Sequence, residues 1–120
     1  MNHSRDYTRI LHILKYTRKI LRLCETFTSS TMLEQDDDSI DLFSFWLLQI
    51  AENAASLSDE FKQSYAQIPW KAIIRFRSIP AHHYEVLEVT ELWHIIKTDI
   101  PQLHDFVQGQ CQEGCSSDTD

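Results

Sequence analysis

The sequence has few residues that break helices, cross-link a chain or anchor it in a membrane. Only 2 of its 120 residues are glycine and 3 are proline, which argues against a turn-rich β-protein. No apolar run approaches the ~20 residues that span a bilayer, and the polar, charged N-terminus does not resemble a signal peptide. Cys24 lies in an amphipathic segment and Cys111 and Cys115 in a polar tail, which is no disulfide framework. We therefore expect a cytoplasmic protein without a membrane segment.

Positive charge is also scarce. Lys and Arg number 11 against 18 Asp and Glu, giving a formal net charge of −7, and a sequence-blind nucleic-acid binder would need to neutralise many phosphates. A local basic patch remains, because Lys71, Arg75 and Arg77 fall in one short segment. These cations could be a solvated helix face, but the histidine and tyrosine that follow them favour a site.

Apolar residues recur at helical spacing and predict an all-α, up-and-down bundle of four to five helices. The first helix is expected over residues 4–24. Its basic face we interpret as solvated rather than RNA-binding, with His12 as a surface residue. The polar stretch 25–38 predicts a loop. The bundle domain is expected over 1–109 and a disordered acidic tail over 110–120.

Cap and proline signals set the remaining helix boundaries. Asp38 or Ser39 is expected to cap the second helix. A third, short helix is expected from a Ser58 cap to residue 67, and a fourth starts with Pro69 at its first position. The last helix is expected over about 88–109, kinked at Pro101.

The second helix predicts a dimer. Residues 42–48 are apolar nearly all round, so the helix needs two buried faces, one against the core and one against a second subunit. We hypothesise that a charge at Trp46 would break this dimer. Glu52 on the same helix is expected to be buried and paired with an arginine or a helix end near the site, more as a structural ion pair than as a catalytic acid.

The chemistry is concentrated around Arg77, His82 and Tyr84. Arginine binds phosphate through paired hydrogen bonds, histidine exchanges protons near neutral pH, and a tyrosine ring can stack on a base. Arg77 and His82 are five residues apart and would not share a face of one unbroken helix. Pro80 should end or kink the helix that begins at Pro69, so that the three side chains converge.

This spacing, in which four residues separate Arg77 from His82 and one separates His82 from Tyr84, resembles the motif of the HepT-like toxin family. That family lies within the HEPN superfamily of ribonucleases. The flanking segments Ile68-Pro69-Trp70 and Glu91-Leu92-Trp93 also resemble that family, over about residues 39–107. Ser78 stands where Asn is common after the motif arginine, Ala51 where Gly is frequent, and Pro80 and His83 replace apolar and small residues.

The resemblance implies a metal-independent endoribonuclease toxin of a type VII toxin–antitoxin pair, without a cofactor. It implies Arg77 and His82 as catalytic residues and Tyr84 as the residue that orients the substrate or the histidine. From their place beside this motif, we expect Ser78, Arg75 and Lys71 to help position the substrate. Two motifs would meet at a dimer interface. The implied partner is an MNT-type nucleotidyltransferase antitoxin that attaches AMP to Tyr84.

Two alternatives stay open. In one, the chain is a purely structural dimer whose motif histidine is a satisfied core residue, although a His-His pair beside arginine and tyrosine fills a core poorly. The other alternative is a binding subunit. Similar helical bundles serve as non-catalytic, nucleotide- or partner-binding subunits of nucleotidyltransferases, in which the Arg-His-Tyr cluster would bind rather than cut. Growth arrest on expressing this chain alone is expected only for a toxin.

Overall fold

The computed structural model describes residues 3–78 and 89–119, and every regular element in these two ranges is helical. The elements are α1 (His3–Cys24), α2 (Ser30–Glu34), α3 (Asp37–Ala55), α4 (Asp59–Ser64), α5 (Trp70–Ile74), a 3₁₀ segment (Arg75–Ser78), α6 (Val89–His94), a π-helical segment (Ile95–Asp99) and α7 (Ile100–Thr119). The all-α prediction is confirmed. No helix in the described ranges is both long and apolar enough to cross a membrane.

Helix α1 is the centre of the bundle, because both α3 and α7 pack along it. It runs antiparallel to α3, since Asp6 near its start contacts Ser58, just beyond the end of α3, while Lys19 near its end lies over the ring of Trp46. Much of the core is formed by apolar side chains at helical spacing from these three helices and the π-helical segment. Its fully buried members include Ile10, Ile13, Ile20, Phe43, Leu47, Ile50, Ile96, Ile100 and Val107.

The loop between α1 and α3 is shorter than the sequence predicted, because part of it is helical. The prediction of a loop over 25–38 is wrong in part, because Ser29 caps a short helix by accepting a hydrogen bond from the backbone N–H of Met32 at 3.2 Å. This helix inserts Leu33 into the core. The cap of α3 is also earlier than expected: Asp36, not Asp38 or Ser39, accepts from the N–H of Ser39 at 3.0 Å.

The predicted cap at Ser58 is confirmed, since its hydroxyl accepts from the N–H of Phe61 at 3.0 Å. Helix α4 nevertheless stops at Ser64, three residues before the predicted end. Pro69 is the residue before α5 rather than its first residue. Aromatic rings join α4, α5 and α7, with Tyr65 and Phe106 at 5.1 Å and Trp70 and Phe106 at 6.0 Å between centroids. These contacts fix the position of α5 and of the 3₁₀ segment that follows it.

A kink was predicted at Pro101, and a π-helical segment lies just before this residue. The helix changes to π-helical hydrogen bonding over Ile95–Asp99, and the N–H of Ile100 bonds to the carbonyl of Ile95. Proline has no N–H and crowds the carbonyl four residues before it, and a π-helical turn is one way to absorb that misfit. Helix α7 then continues to Thr119, with Cys111 buried. The disordered acidic tail expected over 110–120 stays a prediction.

Candidate active site

The motif arginine lies on the 3₁₀ segment at the surface of α3. Helical α-bonding ends at Ile74, and the chain tightens into a 3₁₀ turn over Arg75–Ser78. Phe76 is buried in the core, whereas Arg75 and Arg77 on either side of it are exposed. The buried ring thus holds the segment against α3 while both guanidinium groups face solvent. The helix changes before Pro80, which lies outside the described residues.

Arg77 contacts Glu52 of α3. The guanidinium Nη1 lies 3.7 Å from the carboxylate Oε1, with the two side chains 50% and 57% exposed. The predicted pairing of Glu52 with an arginine near the site is confirmed, but its predicted burial is wrong, because this position faces out of the bundle. An exposed pair of this kind stabilises the fold by only ~0–1 kcal/mol. Its main consequence is to restrict where the Arg77 guanidinium points.

The other predicted site residues divide into two groups. Lys71 and Arg75 are exposed, on α5 and on the 3₁₀ segment that contains Arg77, so they extend one basic surface. Ser78 ends the 3₁₀ segment. His82 and Tyr84 lie outside the described residues. Their convergence with Arg77 therefore stays a prediction.

Sequence reasoning overlooked a groove between α1 and α3 next to the ion pair. This α1–α3 groove, of about 410 Å³, is lined by Arg9, His12, Lys15, Tyr16, Glu52 and Asn53 among others. Glu52 is thus shared between the groove and the Arg77 contact. The sequence did carry one signal for this groove. Asn53 is a polar residue on an apolar helix, directly after Glu52, and no partner was assigned to it from the sequence.

Asn53 fixes two side chains across the groove. It is buried, and its Nδ2 donates to the carbonyl of Gln49 at 2.8 Å, so its Oδ1 faces α1. That oxygen lies 3.1 Å from Nδ1 of His12 and accepts from Nη1 of Arg9 at 3.4 Å. Because the amide oxygen can only accept, His12 carries its proton on Nδ1 when neutral. The prediction of His12 as a surface residue is confirmed, since its side chain is exposed; the hydrogen bond to Asn53 is an addition that the sequence did not indicate.

A second, larger cleft lies on the other side of α1. This α1–α7 cleft, of about 750 Å³, is lined by Arg18, Arg22, Cys24, Lys97, Pro101 and His104 among others. Burial raises the pKa of the Cys24 thiol, and the charge of Lys97 partly opposes this increase. A buried thiol of this kind stays protonated at neutral pH, which disfavours it as a nucleophile.

Comparisons with known proteins point in one direction. A family model described as "Ribonuclease HepT-like" matches residues 13–109, so the match begins within α1, well before residue 39. A "Probable ribonuclease HepT" of Thermococcus cleftensis is 35% identical over 54 residues, which is 45% of this chain and 49% of that protein. A candidate RNase of Methanocaldococcus jannaschii is 30% identical over 54 residues, covering 45% of this chain and 50% of that protein.

A longer alignment comes from a second protein of M. jannaschii, named as a gamma-glutamylcyclotransferase and candidate RNase. It is 30% identical over 97 residues, covering 73% of this chain and 42% of that protein. The alignments thus span half or less of the length of these relatives. No solved structure matches the chain.

Proposed function

This chain belongs to the HepT-like ribonuclease family, and on that premise we propose that it is a metal-independent endoribonuclease whose site is built around Arg77 and His82. The observation that carries the proposal is the placement of Arg77. It lies on a segment anchored by Phe76, its guanidinium is directed by Glu52, and Lys71 and Arg75 extend the basic surface. Such a guanidinium suits a phosphodiester, which needs charge stabilisation at its oxygens.

In the proposed reaction a ribose 2′-hydroxyl attacks the neighbouring phosphate, and the bond from phosphorus to the 5′-oxygen breaks. His82 removes the proton from the 2′-hydroxyl or donates one to the leaving oxygen. Arg77 stabilises the charge that develops on the phosphate oxygens. Tyr84 orients the substrate or the histidine, and Ser78, Arg75 and Lys71 hold the strand.

A single histidine cannot easily serve both proton transfers, so the proposal includes a homodimer in which two motifs complete the site. Its support is an exposed apolar stripe on α3, formed by Leu42, Phe45 and Leu48, which are 43%, 51% and 36% exposed. Glu52 follows Leu48 by one helical turn. A second copy covering this stripe would bring its own Arg77 region close to the first.

The proposal extends to regulation. As the toxin of a type VII pair, the chain would act in the cytoplasm with an MNT-type nucleotidyltransferase as its antitoxin. Transfer of AMP to the Tyr84 hydroxyl would place a phosphate and an adenine beside Arg77 and block the site. Tyr84→Phe should then accept no AMP from that enzyme, as measured by intact mass. An unchanged yield of AMP on this variant would remove the regulatory part of the proposal.

Cleavage chemistry tests the function itself. Purified chain is incubated with RNA in EDTA, and the new ends are examined. Wild type should cut and leave 2′,3′-cyclic phosphate ends, while Arg77→Ala and His82→Ala should not. A folded, unmodified dimer that cuts no RNA would favour the alternative of a non-catalytic, nucleotide- or partner-binding subunit of a nucleotidyltransferase. Expression of the chain alone would then cause no growth arrest.

A further inference from the structure

The α1–α3 groove carries cations that the proposed reaction does not use. Arg9 and Lys15 are exposed on α1 and line this groove together with His12. Glu52 is the carboxylate among its named lining residues, and its charge is offset by Arg77 at 3.7 Å. A protein with a formal net charge of −7 thus presents a locally positive groove next to its motif arginine, which attracts anions from solution.

Specific contacts hold the cationic side chains of the α1–α3 groove in position. The buried Asn53 accepts from Arg9 and His12 and is itself held by the Gln49 carbonyl. One guanidinium nitrogen of Arg9 is used in this way, and within the described ranges 3–78 and 89–119 its remaining donors are open to a ligand. The His12 ring is oriented through Nδ1, which leaves Nε2 directed away from Asn53. Lys15 is partly ordered as well, with Nζ 5.3 Å from the centroid of the Tyr16 ring.

We propose that the α1–α3 groove is a binding site for the RNA strand next to the cleaved phosphate, and this inference rests on the proposed ribonuclease function. Arg9 and Lys15 are six residues apart on α1, or ~9 Å along the helix axis, so they contact different phosphates rather than one. His12 donates or accepts a hydrogen bond at Nε2 to a phosphate oxygen or a ribose hydroxyl. The groove sets which part of the strand reaches Arg77.

Direct binding tests the groove independently of cleavage. The probe is a fluorescein-labelled, single-stranded 2′-O-methyl 12-mer of mixed sequence, which lacks the attacking hydroxyl. Its Kd is measured over a range of salt concentrations for full-length protein. The double variant Arg9→Ala/Lys15→Ala should bind about tenfold more weakly, because it loses two charge-assisted contacts. The slope of log K against log salt should become shallower by about 1.4, or ~0.7 for each lost phosphate contact to a single strand.

The matched control is Arg18→Ala/Arg22→Ala, which removes the same charge from the same helix but on the side of the α1–α7 cleft. It should change the Kd less than about twofold, since screened charges away from the strand contribute little. Equal weakening by both double variants would mean that net charge alone governs binding and would overturn the proposal. Wild-type binding of the probe with no dependence on Arg9 and Lys15 would overturn it as well.

The same proteins separate this inference from the proposed function. If the groove variant loses probe affinity while wild type cuts no RNA, the groove stands and the ribonuclease proposal fails. If wild type cuts RNA and the groove variant binds and cuts equally well, the ribonuclease stands and the groove proposal fails. All four substituted positions are exposed, so the variants should keep the helical circular dichroism of the wild type.

Discussion

The two grooves that flank α1 look alike in composition and differ in organisation. Each is lined by cationic side chains and one histidine, and the α1–α7 cleft is the larger, at about 750 Å³ against 410 Å³. In the α1–α3 groove, Arg9 and His12 are held by one buried amide, and Glu52 links the groove to Arg77. The α1–α3 groove is therefore the better candidate for a site. Its side chains are held in position next to Arg77, and this matters more than the volume or the charge of a groove.

The α1–α7 cleft has no comparable framework in the described part of the chain. Its His104 lies 3.4 Å from the carboxylate of Asp105, the next residue, which is largely exposed. Its Lys97 lies over the Trp93 ring at 5.4 Å. These local contacts orient neither side chain towards a common point. We therefore expect substitutions in this cleft to affect stability more than RNA chemistry.

Removing the motif arginine should have the largest effect. Arg77→Ala should lower the rate of RNA cleavage by ~10²–10³-fold, the range for losing a group that stabilises transition-state charge. A control in the α1–α7 cleft, His104→Ala, should leave the rate within about twofold. Single-turnover cleavage measures both. A normal rate in Arg77→Ala would remove Arg77 from the reaction.

Disrupting the exposed stripe should come next. The sequence suggested a charge at Trp46, but Trp46 is only partly exposed and its ring packs at 6.1 Å from that of Phe43. Phe45 is the sharper choice at 51% exposure. Phe45→Asp should give a monomer by light scattering and at least about a tenfold loss of cleavage, because each motif loses its partner.

The control for this dimer test is Met32→Asp on α2, which places the same charge on an apolar side chain that is 46% exposed and outside the stripe. It should remain dimeric and active. A monomeric Phe45→Asp protein that cleaves at the wild-type rate would show that one motif is sufficient.

The sequence determined the helices more securely than the site. Helix α1 could be predicted because its apolar residues recur at one period, and the Ser58 cap because a hydroxyl precedes two acidic residues. The groove could not be predicted, since it depends on which residues of α3 meet α1. Asn53 lies 41 residues from His12, and nothing local indicates that pairing. The exposed position of Glu52 was also missed. Its helix is apolar on more than one face, so the sequence does not show which face is turned to solvent.

A buried carboxylate near the start of α1 should have a moderate effect when it is removed. Asp6 is buried and accepts from the backbone N–H of Ser58 at 2.9 Å and from its hydroxyl at 2.7 Å. Asp6→Ala should lower the free energy of unfolding by ~1–3 kcal/mol, because it leaves the Ser58 donors without that acceptor. Asp59→Ala, at an exposed neighbour, should cost no more than ~1 kcal/mol through the helix dipole. Urea unfolding compares them, and equal losses would contradict the role of Asp6.

The smallest effect is expected in the α1–α7 cleft. Because burial raises the pKa of Cys24, its reaction with iodoacetamide at pH 8 should be several-fold slower in native protein than in protein unfolded by guanidinium. Lys97→Met should slow it further, since the charge of Lys97 lowers that pKa. Mass spectrometry of the Cys24 peptide measures the rate. Alkylation of native protein at the unfolded rate would mean that this thiol is ionised and accessible.

The raised pKa of Cys24 also determines whether the protein gains or loses stability at high pH. As the pH rises past the ordinary thiol value of 9.0, the unfolded chain loses the proton first. Stability should therefore fall from that pH and stop falling once the pH exceeds the native pKa of Cys24. A Cys24→Ser protein should lack this component of the pH dependence in urea unfolding.

Mapping where RNA binds shows whether the strand lies in the α1–α3 groove. Amide chemical shifts of uniformly ¹⁵N-labelled protein are followed while the 2′-O-methyl 12-mer is added. The largest changes should fall on the residues of the α3 side of α1, namely Arg9, His12, Glu52, Asn53 and Arg77. Changes concentrated at Arg18, Arg22, Lys97 and His104 would contradict it, because the strand would then lie on the opposite side of α1 from the motif arginine.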